Sequence, residues 1–426
     1  MNQPEESRSP APTPNNETLF AGVTEPRRPN REPTHAVPLT PEQLAILAEF
    51  PDAATATCCR LMNAASGFSG AAVWRIETPT AEFALRRVPA GQPPPPRRAW
   101  LHRFLRFVRA CGLEFIAAPL TTSHGATFVE RGGFSWELAP WLPGEADFHG
   151  NPNRTRLAAA MAALARFHKT ASGFPNSALA GPAGLPVWTP SRSGSSVPTA
   201  VGSSPGLADR LQLLQRLVAG EADEMRHAVE RTLKAAEQGG REDFGRSDAD
   251  DAGSNTVRAH LAPRAARLME LFDRLAMAAI ERLRLDVAAS VPLQPCLRDV
   301  WHNHVLFVGD KVTGIIDYDA IRIDSVAGDL ARLLGSFVED DRPSWEFALA
   351  EYARVRPLSA TELGLVEVFD GSSIAISGTQ WVRWLYLDRL AFPNAAAIAE
   401  RMDHWIRRGE RFLGDRLAPP IGPRWE

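Results

Sequence analysis

Two aspartates stand 18 positions apart, Asp299 in "LRDVWHNHVLF" (297–307) and Asp317 in "VTGIIDYDA" (312–320). Between them "VLFV" and "VTGIID" read as two apolar strands, and "GDK" (309–311) has hairpin-turn chemistry. A hairpin of that length returns both carboxylates to one end of a small sheet. Two carboxylates so placed suit phosphoryl transfer. One orients or deprotonates a hydroxyl, and the other holds a divalent cation on nucleotide phosphates. Such chemistry needs positioning and charge neutralisation more than covalent help. The bland readings are that Asp299 caps a turn and that His302 and His304, beside Trp301, are hydrogen-bonded packing residues. Asp317 is harder to dismiss, because an unpaired carboxylate at the end of an apolar strand is costly.

The composition narrows the class. A net charge of −3 over 426 residues provides no basic field for nucleic acid. Cys58, Cys59, Cys111 and Cys296 have no paired metal spacing, which fits a reducing compartment. The N-terminus is polar and proline-rich with no apolar leader, and no apolar run approaches ~18 residues. The expectation is a cytoplasmic protein without membrane or nucleic-acid partners. The string "HNH" would also suit a metal hydrolase, but neither a ββα metal module nor a basic surface is evident. "EDFG" (242–245) lies in a polar break with no strand before it, so it is no magnesium motif. The same break fails as a calcium loop at Ala252 and Ala259.

The elements that must position the aspartates follow from periodicity. Residues 1–38 carry too few large apolar side chains to offset ordering and read as a disordered tail. "TPEQLAILAEF" (40–50) opens a helix with Thr40 as N-cap and Pro41 at its first position. Strand patterns at 71–78, 82–89 and 126–142, with a helical pattern at 97–112, make 40–142 a small sheet with one or two helices. Residues 143–420 read mainly as helix, at 154–171, 207–236, 261–285 and past the hairpin, with flexible loops near 185–206 and 237–257.

"LRDVWHNHVLF" and "IIDYDA" resemble, at the same spacing, the catalytic loop H-G-D-x-H-x-x-N and the I-D-[FWY] motif of the aminoglycoside phosphotransferase and choline kinase-like family. "GDLARLL" (328–334) looks like that family's G-D-x-x-x-D-L-A helix start, and "LARFHKT" (164–170) like its L-x-x-L-H helix end. "SGFSGAAVWRI" (66–76), "FALRRVP" (83–89) and "WELAPWLPGE" (136–145) resemble its nucleotide loop, its phosphate-binding strand and its hinge. The resemblance spans about 50–410. It implies an α+β, bilobal protein-kinase-like fold, with a small N-terminal antiparallel sheet lobe that binds nucleotide and a larger, mainly helical C-terminal lobe. It implies an ATP-dependent phosphotransferase acting on a hydroxyl of a small molecule, with Mg2+ as cofactor. Asp299 would be catalytic. Asp317, with Asn303 and His304, would hold metal. Ser66, Gly67, Ser69, Gly70, Arg86 and Glu137 would contact nucleotide.

Three positions depart from the pattern. His304 stands where the family has asparagine, so Asn303 shifts into place, or His304 favours Mn2+, or a second metal is lost. Arg86 or Arg87 replaces the strand lysine. No acidic residue lies between Glu82 and Glu114, so the helix offers His102 and arginines where a lysine-pairing glutamate is expected. These departures leave a second reading open, a catalytically impaired pseudokinase that senses nucleotide or binds a partner.

Overall fold

The computed structural model describes residues 36–63, 71–175, 200–238, 249–390, 392 and 394–417. Ser66, Gly67, Ser69 and Gly70, residues 1–35 of the expected tail 1–38, "EDFG" and the loop segments 185–199 and 239–248 lie outside the described residues, while Val37–Pro38, at the end of that tail, is a strand paired with Cys58 and Cys59 and not disordered.

The N-terminal lobe is a six-stranded antiparallel sheet. Its strands are β1 (Val37–Pro38), β2 (Cys58–Asn63), β3 (Ala72–Glu77), β4 (Glu82–Pro89), β5 (Val129–Arg131) and β6 (Phe134–Pro140), ordered β1-β2-β3-β4-β6-β5. The 126–142 pattern is thus two strands, turned at Gly132 and Gly133, both with positive φ. Alternation gives the sheet two chemistries. Ile76, Phe83, Leu85, Trp136 and Leu138 bury one face against Ile46, Leu47 and Phe50, in and just after α1 (Pro41–Leu47). Each fully buried side chain of this kind contributes roughly 1.5–3 kcal/mol. Thr40 caps α1 in a full capping box with Gln43, as the sequence predicts. The other face carries Arg86 and Glu137 toward α2 (Pro95–Ala110).

The C-terminal lobe is mainly helical. Its helices are α3 (Arg154–Ala171), α4 (Pro205–Arg216), α5 (Ala222–Gln238), α6 (Ala249–Asp286), α7 (Ala327–Phe337), α8 (Arg342–Ala353), α9 (Ala360–Val382) and α10 (Ala395–Leu417). A second sheet orders β11 (Arg322–Asp324), β8 (Ser290–Cys296) and β7 (Ala200–Ser203). The hairpin is β9 (Val305–Val308) and β10 (Lys311–Ile315), turned at Gly309 with φ 56°. The architecture is α+β with an antiparallel N-terminal lobe and a helical C-terminal lobe.

Three loop and helix assignments need correction. Residues 200–206 are not loop: Ala200–Ser203 pairs with β8, and Ser204 caps α4 by accepting the Leu207 N–H. Residues 249–257 are helix, because Val257 and Leu261 pack into the core and override weak local propensity. The single helix expected at 207–236 is two, divided by a π turn at Leu217–Glu221, where Gly220 takes φ 150°.

The lobes meet at the hairpin. Ile315 N–H donates to Phe115 O at 2.9 Å, and Glu145 and Phe307 exchange both backbone hydrogen bonds. Gly144 has φ 107°, and a Cβ there would lie 2.6 Å from the Phe307 carbonyl oxygen. Gly144→Ala is therefore expected to lose about 1–3 kcal/mol from backbone strain alone, measured by urea denaturation.

Helix α10 docks through ion pairs. Glu339 accepts from His404 at 3.0 Å and pairs with Arg411 at 3.2 Å and Arg407 at 3.5 Å. The His404 hydrogen bond, aided by the two arginines and opposed by burial, holds this carboxyl down to about 2. Its folded value lies below the unfolded one, so the stabilisation is fully present above pH ~4.3 and is lost as pH falls toward the folded value. Glu339→Gln is expected to destabilise by on the order of 2 kcal/mol at neutral pH. The gap from wild type, read by thermal unfolding, should close near pH ~2.

Candidate active site

The loop between β8 and β9 carries Asp299, and a single carboxylate holds its entry. Asp329, in the first turn of α7, accepts the backbone N–H groups of Leu297 at 2.7 Å and Arg298 at 2.6 Å. Its Oδ2 also meets His168 Nε2 at 2.9 Å, and His168 Nδ1 meets the Tyr352 hydroxyl at 2.8 Å. Asp329 thus anchors the loop and does not serve as an N-cap for α7. His168, Cys296 and Asp329 cluster tightly enough to suggest a metal. The carboxylate is already spent on three donors, so the cluster is structural. The anchor also fixes Arg298 at φ 62°, a conformation that costs a non-glycine residue roughly 1 kcal/mol.

From Asp299 the chain turns through a short 3-10 segment, His302–His304, into β9. His304 is buried, and both its ring nitrogens are engaged. Nδ1 meets the Asp299 carbonyl at 2.7 Å, and Nε2 accepts the Trp301 indole N–H at 2.7 Å. A carbonyl cannot donate, so the proton sits on Nδ1. Burial keeps this imidazole pKa below its usual range. Asp317 Oδ2 lies 3.6 Å from Nε2. His304 therefore ties the Asp299 backbone to the Trp301 indole beside the second aspartate, and a cation on Nε2 would first have to displace the indole. Arg401 of α10 lies over the Trp301 ring at 4.1 Å. His302 Nδ1 meets Ser336 Oγ at 2.6 Å, a packing role.

Asp317 takes φ 68° and keeps its side chain 55% exposed. Partial burial raises its pKa, as do the neighbouring Asp319 and Asp299 carboxylates, while His304 and Arg86 oppose them. Crowded carboxylates on hard oxygen donors are a setting that a divalent cation relieves. Asn303, half-buried and next to His304 in the chain, carries an amide oxygen. The residues present fit Mg2+ or Mn2+ through oxygen, with Asp317 and Asn303 the better donors and His304 the poorer one.

Asp299 is 45% exposed, and its Oδ1 accepts from Arg332 of α7. The sequence reading missed Arg332, although it stands three positions after Asp329 in "GDLARLL" and therefore one helical turn away. It also missed Asp319, two residues past Asp317. Arg86 donates both Nη groups to the Asp319 carboxylate, bridging the lobes. Arg97 of α2 donates to the Asp319 and Ile321 carbonyls, fastening the same loop.

Behind Arg86 lies the residue that substitutes for the absent helix acid. Glu137 pairs with Arg86 in cross-strand register, with 3.6 Å between the charges. Arg98 and His102 of α2 reach the same carboxylate at 3.4 Å each. The polarity is reversed: the helix supplies cations and the strand supplies the acid. Burial alone would raise the Glu137 carboxyl, but His102, Arg86 and Arg98 hold it below the usual range. Arg86, half-buried and flanked by Asp319 and Glu137, has a raised pKa and stays charged. The structure thus brings together Asp299, His304, Asp317 and, through Asp319, Arg86, with Asn303 next to His304 in the chain. Glu137 sits behind Arg86 and is buried.

All four cysteines are free. Among the described residues no helix is long and apolar enough to cross a membrane.

Comparisons with known proteins agree with this geometry. The spectinomycin phosphotransferase APH(9)-Ia, in complex with ADP and spectinomycin, superposes with a TM-score of 0.52 at 12% identity, covering 88% of this chain and 98% of that one. The amicoumacin kinase hAmiN, in complex with AMP-PNP, Ca2+ and Ami, gives 0.52 at 11% identity over 87% and 92%. These likenesses concern the fold. A homoserine kinase of Methylobacterium nodulans is 29% identical over 126 residues, covering 26% of this chain and 39% of that protein. One of Methylocella silvestris is 28% identical over 102 residues, covering 22% and 32%. The aligned segments thus span about a third of the curated relatives' length. The profile of the phosphotransferase enzyme family matches residues 61–360, which contain the anchored loop, the hairpin and both aspartates, and the chain belongs to that family.

Proposed function

We propose that the chain is an ATP-dependent kinase that phosphorylates a hydroxyl group of a small molecule. The observation that carries this is that Asp299 and Asp317 converge on His304 at one end of a small sheet, the Asp299 carbonyl accepting the Nδ1–H and the Asp317 carboxylate lying 3.6 Å from Nε2. Asp299 Oδ1 is paired with Arg332, leaving Oδ2 to receive the acceptor proton. As Asp299 takes that proton, the acceptor oxygen bonds to the γ-phosphorus and the bond from phosphorus to the β-bridging oxygen breaks. ADP leaves, and the proton passes to solvent. Asp317 and Asn303 would hold the divalent cation, which when bound would neutralise charge on the phosphates. Arg86, released from Asp319, meets phosphate in bidentate geometry. Ser66, Gly67, Ser69 and Gly70, in the segment between β2 and β3, would contact the nucleotide by the family resemblance, and Glu137 would act on it through Arg86. In this reading the 40–142 lobe binds nucleotide and the 143–420 lobe supplies catalysis and the acceptor site, in the cytoplasm. The ADP, AMP-PNP and spectinomycin named with the structural neighbours support a nucleotide and a small-molecule acceptor.

The test is transfer of γ-labelled phosphate from ATP with Mg2+ or Mn2+ to a panel of hydroxyl acceptors. Label on an acceptor sustains the proposal. No transfer to any acceptor, alongside metal-independent nucleotide binding, contradicts it. That outcome would support the second reading, a nucleotide-sensing pseudokinase. One observation favours the second reading: Arg86 is already engaged by Asp319.

A further inference from the structure

Arg298 stands directly before Asp299 and takes φ 62°, while Asp317 takes φ 68°. Aspartate visits this backbone region fairly readily, and arginine does not. Asp329 accepts the Arg298 N–H at 2.6 Å. A glycine would offer the same N–H with no steric cost. The Asp329 anchor therefore accounts for the conformation but not for the arginine.

The arginine side chain reaches two other elements. Its Nη2 donates to Asp209 of α4 at 3.0 Å, and its Nη1 lies 3.4 Å from Asp324 Oδ2 at the end of β11. Asp209 is 64% exposed, and a rim pair of that kind holds little by itself. Asp324 is buried. Its Oδ1 accepts from the hydroxyl of Ser204, the residue that caps α4, and from the Ser325 N–H. Burial raises this carboxyl, and Ser204, Arg298 and the Ser325 and Gly206 backbones oppose it. Asp324 thus keeps several donors without Arg298, so its satisfaction does not call for an arginine. Arg298 is held at both ends, its backbone by α7 and its guanidinium by β11 and α4. The next peptide carries Asp299, so the clamp limits the directions that carboxylate can take. Backbone strain persists where the surroundings over-determine it, and active sites collect such residues.

We infer that Arg298 is a positioning residue, whose clamp on Asp324 and Asp209 sets the direction in which the loop presents Asp299 to the acceptor hydroxyl. It acts through the backbone and needs no contact with the reacting atoms. This rests on the phosphotransferase reading above, and the two can fail separately.

The experiment is Arg298→Gly in the full chain, which removes the clamp and relieves the backbone at once. A merely structural arginine predicts a changed stability with kcat intact. A positioning arginine predicts kcat lower by about 10–10²-fold for γ-phosphate transfer from ATP with Mg2+, with AMP-PNP affinity within about twofold by calorimetry. Propylguanidine, which replaces the deleted side chain atom for atom, should restore part of the lost rate saturably and leave wild type unchanged. Arg298→Lys, which keeps the charge but cannot span both carboxylates, should fall between. An unchanged kcat in Arg298→Gly, an equal fall in kcat and nucleotide affinity, or no response to propylguanidine overturns the inference. A second arm needs no turnover: amide exchange over residues 299–304, where the His302 and His304 N–H groups are hydrogen-bonded. Protection there should fall at least ~5-fold in Arg298→Gly and return with propylguanidine. Unchanged protection overturns the clamp. Lost protection in Arg298→Gly, when wild type transfers phosphate to no acceptor, upholds the clamp on the loop and overturns the kinase reading instead.

Discussion

Asp299→Asn is expected to lower phosphoryl transfer by about 10²–10⁴-fold while leaving nucleotide affinity within about twofold of wild type. The amide keeps the shape of the carboxylate and can still meet Arg332, but it cannot take the acceptor proton. Its backbone carbonyl, which orients His304, is untouched by the substitution. The loop entry is held independently by Asp329 through the N–H groups of Leu297 and Arg298, so the variant should fold normally. Steady-state kinetics together with nucleotide titration separates the two effects. A wild-type rate would remove Asp299 from the chemistry. A large loss of nucleotide affinity would mean that the loop had moved.

Glu137→Gln is expected to be the most destabilising single charge removal in the N-terminal lobe. It leaves Arg86, Arg98 and His102 without their shared counter-charge in a buried setting. Removing one partner of a buried ionic cluster typically costs about 3–5 kcal/mol, since the stranded charges keep their desolvation penalty. Chemical denaturation reads the loss directly. The double variant Arg98→Met with Glu137→Gln should recover part of it, because the two side chains share one interaction. Strict additivity of the two single effects would show that the cluster is not a unit. Nucleotide affinity should also fall in Glu137→Gln, because Arg86 would be held by Asp319 alone.

Much of this arrangement was legible in the chain because it is local. Apolar alternation on either side of "GDK" marks the hairpin, and the same spacing brings Asp299 and Asp317 together. Thr40-Pro41 marks a helix start through rules that act within one turn. What escaped depends on contacts between distant segments. Glu137 replaces the absent helix acid through a cross-strand register, which no spacing along the chain reveals. The Arg86–Asp319 clamp joins residues 233 positions apart. Residues 249–257 read as a polar break, and packing of Val257 and Leu261 turns them into helix. Asp329 stands in the first turn of a helix, yet its carboxylate is spent on a loop about 30 residues earlier. Arg332 and Asp319 are the two misses with a visible signal, since each stands two or three positions from a residue already singled out.

The most direct test of the account is thermal unfolding of the full chain with ATP, first alone and in chelator, then with Mg2+ or Mn2+. A ligand that binds the folded state at 100 times its Kd stabilises it by about 2.7 kcal/mol. The account predicts a rise in Tm that requires the divalent cation and is reduced in Asp317→Asn. No shift under any condition, or a shift of equal size in chelator, would contradict a metal-assisted phosphotransferase at Asp299 and Asp317.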